Sequence, residues 1–180
     1  MSQLLCYLQI GARTYGPDAS DEKAAKQDAS YAGTKKPFGF SVLGMSVYHG
    51  AAKEQFMVMS KDYGKGLNKD NIEDFIRKYL DTGNVSVNSK TLLDIVTDKL
   101  LAIQAMYSQQ KVFHIFGSSI LFVYDAAALM ADGLAKEDLE KAVVVKMIDF
   151  AHVHPAKEQP DENYNNGLKN LLDLLVNFNI

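Results

Sequence analysis

Cysteine is nearly absent: Cys6 stands alone among 180 residues, which excludes an internal disulfide and suits a reducing compartment. A long hydrophobic run is missing too. Leu4 to Ile10 is too short, and too interrupted by Gln9, for a signal peptide or a membrane span. Positive charge is not in excess, and a formal net charge of -3 argues against nonspecific adhesion to nucleic acid or an anionic membrane. No GxxxxGK[ST] phosphate loop occurs; Gly64-Lys65-Gly66 is a weak approach to one. Internal repeats and low-complexity segments are likewise missing. Lys35-Lys36 is too short for a nuclear localisation signal, so the compartment expected is cytoplasmic and/or nuclear.

What is present suits a globular chain, since 47% hydrophobic residues suffice for a core of ordinary density. Charge is uneven: residues 1–70 carry 9 Lys/Arg against 7 Asp/Glu, and residues 71–180 carry 10 against 15. A polyanionic ligand is therefore expected on the N-terminal part. Leu4 to Ile10 reads as a strand ended by Gly11, and Pro17-Asp18-Ala19-Ser20 introduces a helix over 21–31. Phe38, Phe40, Val42, Met45 and Val47 alternate around Gly44, predicting a strand with a bulge, with Phe56 to Met59 as its hairpin partner. Ile72 to Leu80 and Leu92 to Tyr107 follow helical spacing. Val112 to Phe116, Ile120 to Tyr124 and Val143 to Ile148 read as a meander, interrupted by a surface insert over 126–141. A last helix starts near Asn163.

Two segments carry most of the chemistry. Lys146-Met147-Ile148-Asp149-Phe150-Ala151-His152-Val153 sets one carboxylate at the close of an apolar strand, and Gly117-Ser118-Ser119-Ile120-Leu121-Phe122-Val123-Tyr124 precedes it. A lone Asp where a buried strand emerges is well placed to hold a divalent metal beside a phosphate, although by pattern alone it more often caps a turn or helix. Together with Asp161 to Leu168, Ile10 to Ser20 and Gly39 to Tyr48, these blocks stand in an order that resembles the inositol polyphosphate kinase family, and its multikinase branch most.

The resemblance implies an α+β, two-lobed inositol polyphosphate kinase-like fold. Residues 1–66 are expected to be a remnant of the N-terminal lobe and 67–180 the C-terminal lobe, with most of the nucleotide lobe missing ahead of Met1. It implies ATP and Mg2+ as cofactors and an inositol polyphosphate as substrate. Asp149 matches the family's metal-binding aspartate, and Ser118 and Ser119 match serines lining its phosphate cleft. Lys23, Gln27, Lys65 and His152 match substrate-side positions, whereas on sequence alone Lys23 and Lys26 read as a solvated helix face and His152 as a locally bonded imidazole.

One departure weighs against activity. The family's PxxxDxKxG motif aims an Asp and a Lys from one strand face into the cleft. In the aligned stretch Gln3 to Gly11 only the glycine remains, with Tyr7 and Gln9 replacing Asp and Lys. Ser46 also replaces a basic residue of the multikinases. The resemblance therefore implies either an impaired kinase or a catalytically inactive inositol-phosphate-binding or scaffold protein. With the N-terminal sheet cut, Leu4 to Ile10 and Phe38 to Tyr48 are expected to expose an edge that pairs with a protein partner or aggregates.

Overall fold

The computed structural model describes residues 3–49, 55–81, 88–125 and 135–179. Strict alternation builds its central strand. In β1 (Gln3–Ile10) the side chains of Leu4, Cys6, Leu8 and Ile10 are buried, while Leu5, Tyr7 and Gln9 on the other face are half-buried. β1 pairs antiparallel with β2 (Phe40–His49) on one side and β5 (Ser119–Asp125) on the other. β3 (Gln55–Met59) continues from β2 and β6 (Val143–Ile148) from β5, giving the order β3-β2-β1-β5-β6. The bulge expected near Gly44 is present: Tyr7 faces Gly44 and Leu8 faces Val42, leaving Leu43 as the extra residue.

That order corrects the exposed-edge expectation. β1 and β2 are both interior strands, and among the described residues the edges are β3 and β6. Five strands and one contiguous core draw on both sides of the expected boundary at residue 66.

Helices cover the face that carries Leu4, Cys6, Leu8 and Ile10. α4 (Glu73–Leu80) contributes Phe75, Ile76, Tyr79 and Leu80 to the core. α5 (Asn88–Gln109) contributes Leu92, Leu93, Ile95, Val96, Leu100 and Tyr107, with Ile103 packed against them. α6 (Lys136–Ala142) leads into β6, and α7 (Glu162–Val176) buries Leu168, Leu171, Leu172 and Leu175. Residues 126–134 of the expected insert, and Gly83, fall outside the described residues.

Two local readings change. The helix expected over 21–31 is α1 (Asp21–Ala29), which stops two residues short, and an unexpected second helix, α2 (Ala32–Phe38), starts directly after Tyr31 in a left-handed conformation at φ 57°. Phe38 therefore ends α2 and does not start β2. The expected meander also loses its first strand: β4 (Phe113–Phe116) pairs with β7 (His152–Pro155) as a separate two-stranded sheet. Gly117, at φ 74°, turns the chain out of line between β4 and β5. Asp161 also holds Ile115 away from the main sheet, its carboxylate accepting the Ile115 N–H at 2.8 Å.

Candidate functional site

Strand register brings the first group of candidates together. Gln9 of β1 lies opposite Ser119 of β5, and Ser119 lies opposite Ile148 of β6, so the three form one row across the sheet. Asp149 follows directly, exposed and left-handed at φ 63°. A non-glycine residue at positive φ is uncommon, Asp tolerates it better than most, and such conformations cluster at functional sites. The neighbouring turn is fastened on several sides. The Ser118 hydroxyl, wholly buried, donates to the Ile148 carbonyl at 2.8 Å. Ile10 N–H donates to the Ser118 carbonyl at 3.0 Å, and the Gln9 amide to the Gly117 carbonyl at 3.0 Å. A Cβ at Gly117 would stand 3.1 Å from the Thr14 carbonyl oxygen, so glycine serves both the turn and the close approach of the 11–16 loop. Ser118 thus anchors the end of β6 from which Asp149 emerges.

Positions facing the same way as Gln9 form the sheet's partly open side. Tyr7 lies opposite Leu121, and Leu121 opposite Lys146, whose side chain is exposed. This surface combines half-buried Leu5, Tyr7, Leu121 and Val123 with the polar end at Gln9, Ser119 and Asp149. One face of an extended apolar strip ending in a carboxylate suits a ligand with a flat apolar part and an anionic, metal-bound part.

The two-stranded sheet places His152 beside this end, opposite Phe116, which leads into Gly117. His152 is exposed, while His154 packs edge-on to Phe116 at 5.7 Å and lies 3.5 Å from an Asp18 carboxylate oxygen. The Arg13 guanidinium stacks near both Tyr15, at 4.7 Å, and Phe116, at 5.2 Å. Asn163 at the start of α7 fixes Arg13 by two hydrogen bonds, accepting its N–H at 2.9 Å and donating to its carbonyl at 2.8 Å.

The helix-borne candidates are placed differently. Ser20 caps α1 by accepting the Lys23 N–H at 3.3 Å, and the Lys23 and Lys26 side chains are exposed. Gln27 faces inward: its side-chain oxygen accepts the Thr14 hydroxyl at 3.0 Å, and its backbone carbonyl accepts the Lys35 ammonium at 2.5 Å. Thr14 is the residue whose carbonyl Gly117 abuts, so Gln27 is two contacts from the Ser118 turn. Lys65 ends the single-turn α3 (Lys61–Lys65), which lies so close to β2 that a Cβ on Gly64 would stand 1.8 Å from the Val42 carbonyl oxygen. Its ammonium is bonded to Asp62 at 2.8 Å, which raises the Lys65 pKa and lowers that of Asp62. Register and contacts therefore unite Gln9, Ser118, Ser119, Asp149 and His152, with Gln27 adjoining; Lys23 and Lys65 lie on flanking helices.

Lys146, Arg13 and Lys35 are cations close to these groups that the sequence reading gave no role. The alternation of β6 is enough to place Lys146 on the open face. Arg13 carried a weaker signal, its spacing from Tyr15, and Lys35 carried none, since a lysine pair reads as surface. Among the described residues no group of three His, Cys, Asp or Glu side chains gathers around a metal position. Asp149 could offer one carboxylate, the kind of donor Mg2+ takes when substrate phosphates complete its shell.

A family model for inositol polyphosphate kinase matches residues 7–176. Inositol hexakisphosphate kinase 3 of Mus musculus is 31% identical over 183 residues, covering 93% of this chain and 45% of its own length. Inositol polyphosphate multikinase of Mus musculus is 30% identical over 130 residues, covering 72% of this chain and 32% of its own length. The chain spans less than half the length of these curated relatives. An inositol phosphate multikinase from S. cerevisiae, solved in complex with ADP and Mn2+, superposes with a TM-score of 0.81 at 21% identity, covering 97% of this chain and 78% of that one. A second solved inositol phosphate multikinase gives 0.80 at 24% identity, covering 98% and 79%. At these identities the superpositions establish the fold.

Proposed function

The chain belongs to the inositol polyphosphate kinase family, and we propose that it transfers the terminal phosphoryl group of ATP to a hydroxyl of an inositol polyphosphate, with low turnover. The observation that carries this reading is the Asp149 end of the sheet. An exposed carboxylate in a left-handed conformation emerges from a strand whose last carbonyl is held by buried Ser118. Phosphoryl transfer asks chiefly for positioning and charge neutralisation, and a carboxylate whose backbone is held in one conformation contributes to the first of these. Asp149 is the residue that would hold Mg2+, together with nucleotide phosphates; the ion would neutralise phosphate charge. The relative solved with ADP and Mn2+ supports a nucleotide and a divalent cation as the cofactor pair.

Lys23, Gln27, Lys65 and His152 are assigned to the phosphates of the inositol ring. Lys65 exchanges Asp62 for a ligand phosphate at little cost, because both partners of that pair are solvent-exposed. Low turnover follows from Tyr7 and Gln9. Removing one preorganised charge from such a site costs about 10²–10³ in rate.

A second reading, binding without turnover, is favoured by one observation: the Gln9 amide is committed to the Gly117 carbonyl, so a neutral side chain braces the turn where the family motif has a cation. The deciding experiment follows transfer of labelled phosphate from ATP to inositol tetrakis- or hexakisphosphate with Mg2+, alongside calorimetric binding of the same ligands. Transfer that falls at least about 100-fold in Asp149→Asn supports the kinase. Binding without transfer supports the second reading, and absence of both overturns the two together.

A further inference from the structure

Helix α1 carries Lys23, Lys26 and Gln27 yet has no buried residue; only Ala24 and Gln27 are half-buried, on its inner side. Nine residues are too few for a helix to hold itself in water, and apolar packing does not hold this one to the body. Its attachments are polar. The Tyr15 hydroxyl donates to Asp28 at 3.1 Å in the open, and the Thr14 hydroxyl donates to the Gln27 side chain at 3.0 Å. The third attachment is the unusual one. Lys35, on α2, is 2% exposed, and its ammonium donates to the Gln27 carbonyl at 2.5 Å and to the Thr14 hydroxyl at 3.3 Å.

A lysine is almost never fully buried unless paired. The Lys35 contacts are with neutral oxygens, and burial pushes its pKa below the ordinary lysine value while Asp28 pulls the other way. Such a group adds little to global stability, because exchanging a buried ion for a well-packed apolar side chain is often neutral or stabilising. What it does add is geometric. One cation joins the loop at Thr14, the last turns of α1 and the start of α2, and the same loop abuts Gly117 of the Ser118 turn.

We infer that Lys35 is a positioning residue: its buried ammonium clamps α1 to the 11–16 loop and thereby fixes Lys23 and Gln27 for a polyphosphorylated ligand. This rests on the reading of α1 as a phosphate-binding helix for its last step only. The clamp itself concerns the free protein.

The test compares the full chain with Lys35→Met and, as a milder variant, Thr14→Val, using three readouts. Hydrogen exchange without ligand is expected to quicken about tenfold in α1 and to stay unchanged in α7, as loss of a charge-assisted hydrogen bond at one attachment requires. The melting temperature of Lys35→Met is expected to hold or rise, which a purely stabilising role would not allow. Inositol hexakisphosphate is expected to bind about tenfold more weakly, with ADP binding unchanged. Unaltered exchange in α1 of both variants overturns the clamp. If Lys35→Met does not fold, that too overturns the geometric role, and Thr14→Val then reports what remains of the α1 attachment. If the unsubstituted chain binds no inositol hexakisphosphate, the ligand reading fails while the exchange comparison still decides the clamp.

Discussion

Replacing Asp161 by Ala should cost more than its single carboxylate suggests, because three groups depend on it. Asp161 is 2% exposed. One oxygen accepts the Tyr107 hydroxyl at 2.8 Å and the Ile115 N–H at 2.8 Å, and the other caps α7 by accepting the Tyr164 N–H at 3.0 Å. The substitution leaves a phenol and a strand N–H buried without an acceptor, at about 1–3 kcal/mol each, and removes a helix cap worth about 1 kcal/mol. We expect a total of about 3–7 kcal/mol, a large share of the stability of an ordinary domain. At roughly 2–4 °C per kcal/mol for a chain of this size, the midpoint should fall by about 6–28 °C. Tyr107→Phe is the matched control. It removes one charge-assisted bond, leaves two N–H donors on the carboxylate, and should cost about 1.5–3 kcal/mol. Urea titration followed by far-UV circular dichroism measures both, since the sequence contains no Trp. The bonds joining α5, β4 and α7 pass through this carboxylate, so Asp161→Ala should also loosen the β4–β7 sheet that carries Phe116 and His152. A cost below about 1 kcal/mol for Asp161→Ala would refute the reasoning, because the stranded donors could not then be buried.

Gln9→Lys should raise phosphoryl transfer at least about tenfold by placing one charge on the open face, with stability lowered by no more than about 1.5 kcal/mol through the amide's lost bond to the Gly117 carbonyl; an unchanged rate refutes that role for the position. Stability should decline in alkali, because burial pushes the Tyr63 hydroxyl up to about 12 and those of Tyr79, Tyr107, Tyr124 and Tyr164 further. An unfolded tyrosine ionises near its ordinary pKa of about 10, so above that pH the unfolded chain has released protons that the folded chain retains, and unfolding is favoured. Lys35, whose folded pKa is lowered, acts in the opposite sense, its burial costing least as pH approaches the ordinary lysine value. Melting midpoints measured from about pH 8 to about pH 11 should be level at first and then drop; a level curve throughout would refute the burial of these hydroxyls.

Alternation and helical period carried most of the elements from sequence to structure. β1, the bulge beside Gly44, the apolar face of α5 and the helix after Asp161 follow from patterns that burial enforces directly. The misread segments are those where a backbone conformation decided the outcome. Nothing in Ser30-Tyr31-Ala32 marks a left-handed break, because tyrosine is not a residue that seeks positive φ. β4 has an ordinary strand composition, and its separation from the sheet comes from Gly117 together with a hydrogen bond reaching 46 residues along the chain to Asp161. Among the candidate residues, Asp149, Ser118 and His152 were singled out through the family resemblance, and register brings them to one end of the sheet. Lys35 was not, since its burial depends on α1 and the 11–16 loop closing over it.

The two faces of β1 carry different demands, and Tyr7 and Gln9 stand on the one the core does not use. Leu4, Cys6, Leu8 and Ile10 carry the core contacts of β1, whereas Tyr7 and Gln9 project from its partly open face. Backbone pairing to β2 and β5 is the same whatever side chain stands at those two positions. A charged pair there would contribute little to holding the sheet together, because stability comes from the apolar area on the opposite side. A phenol and an amide at these two positions are therefore compatible with an architecture near that of the solved multikinases, as TM-scores of 0.80 and 0.81 indicate. Burial constrains one face of β1 far more than the other, so substitutions at residues 6 and 8 should cost much more stability than a substitution at residue 7, or one at residue 9 that keeps a donor for the Gly117 carbonyl.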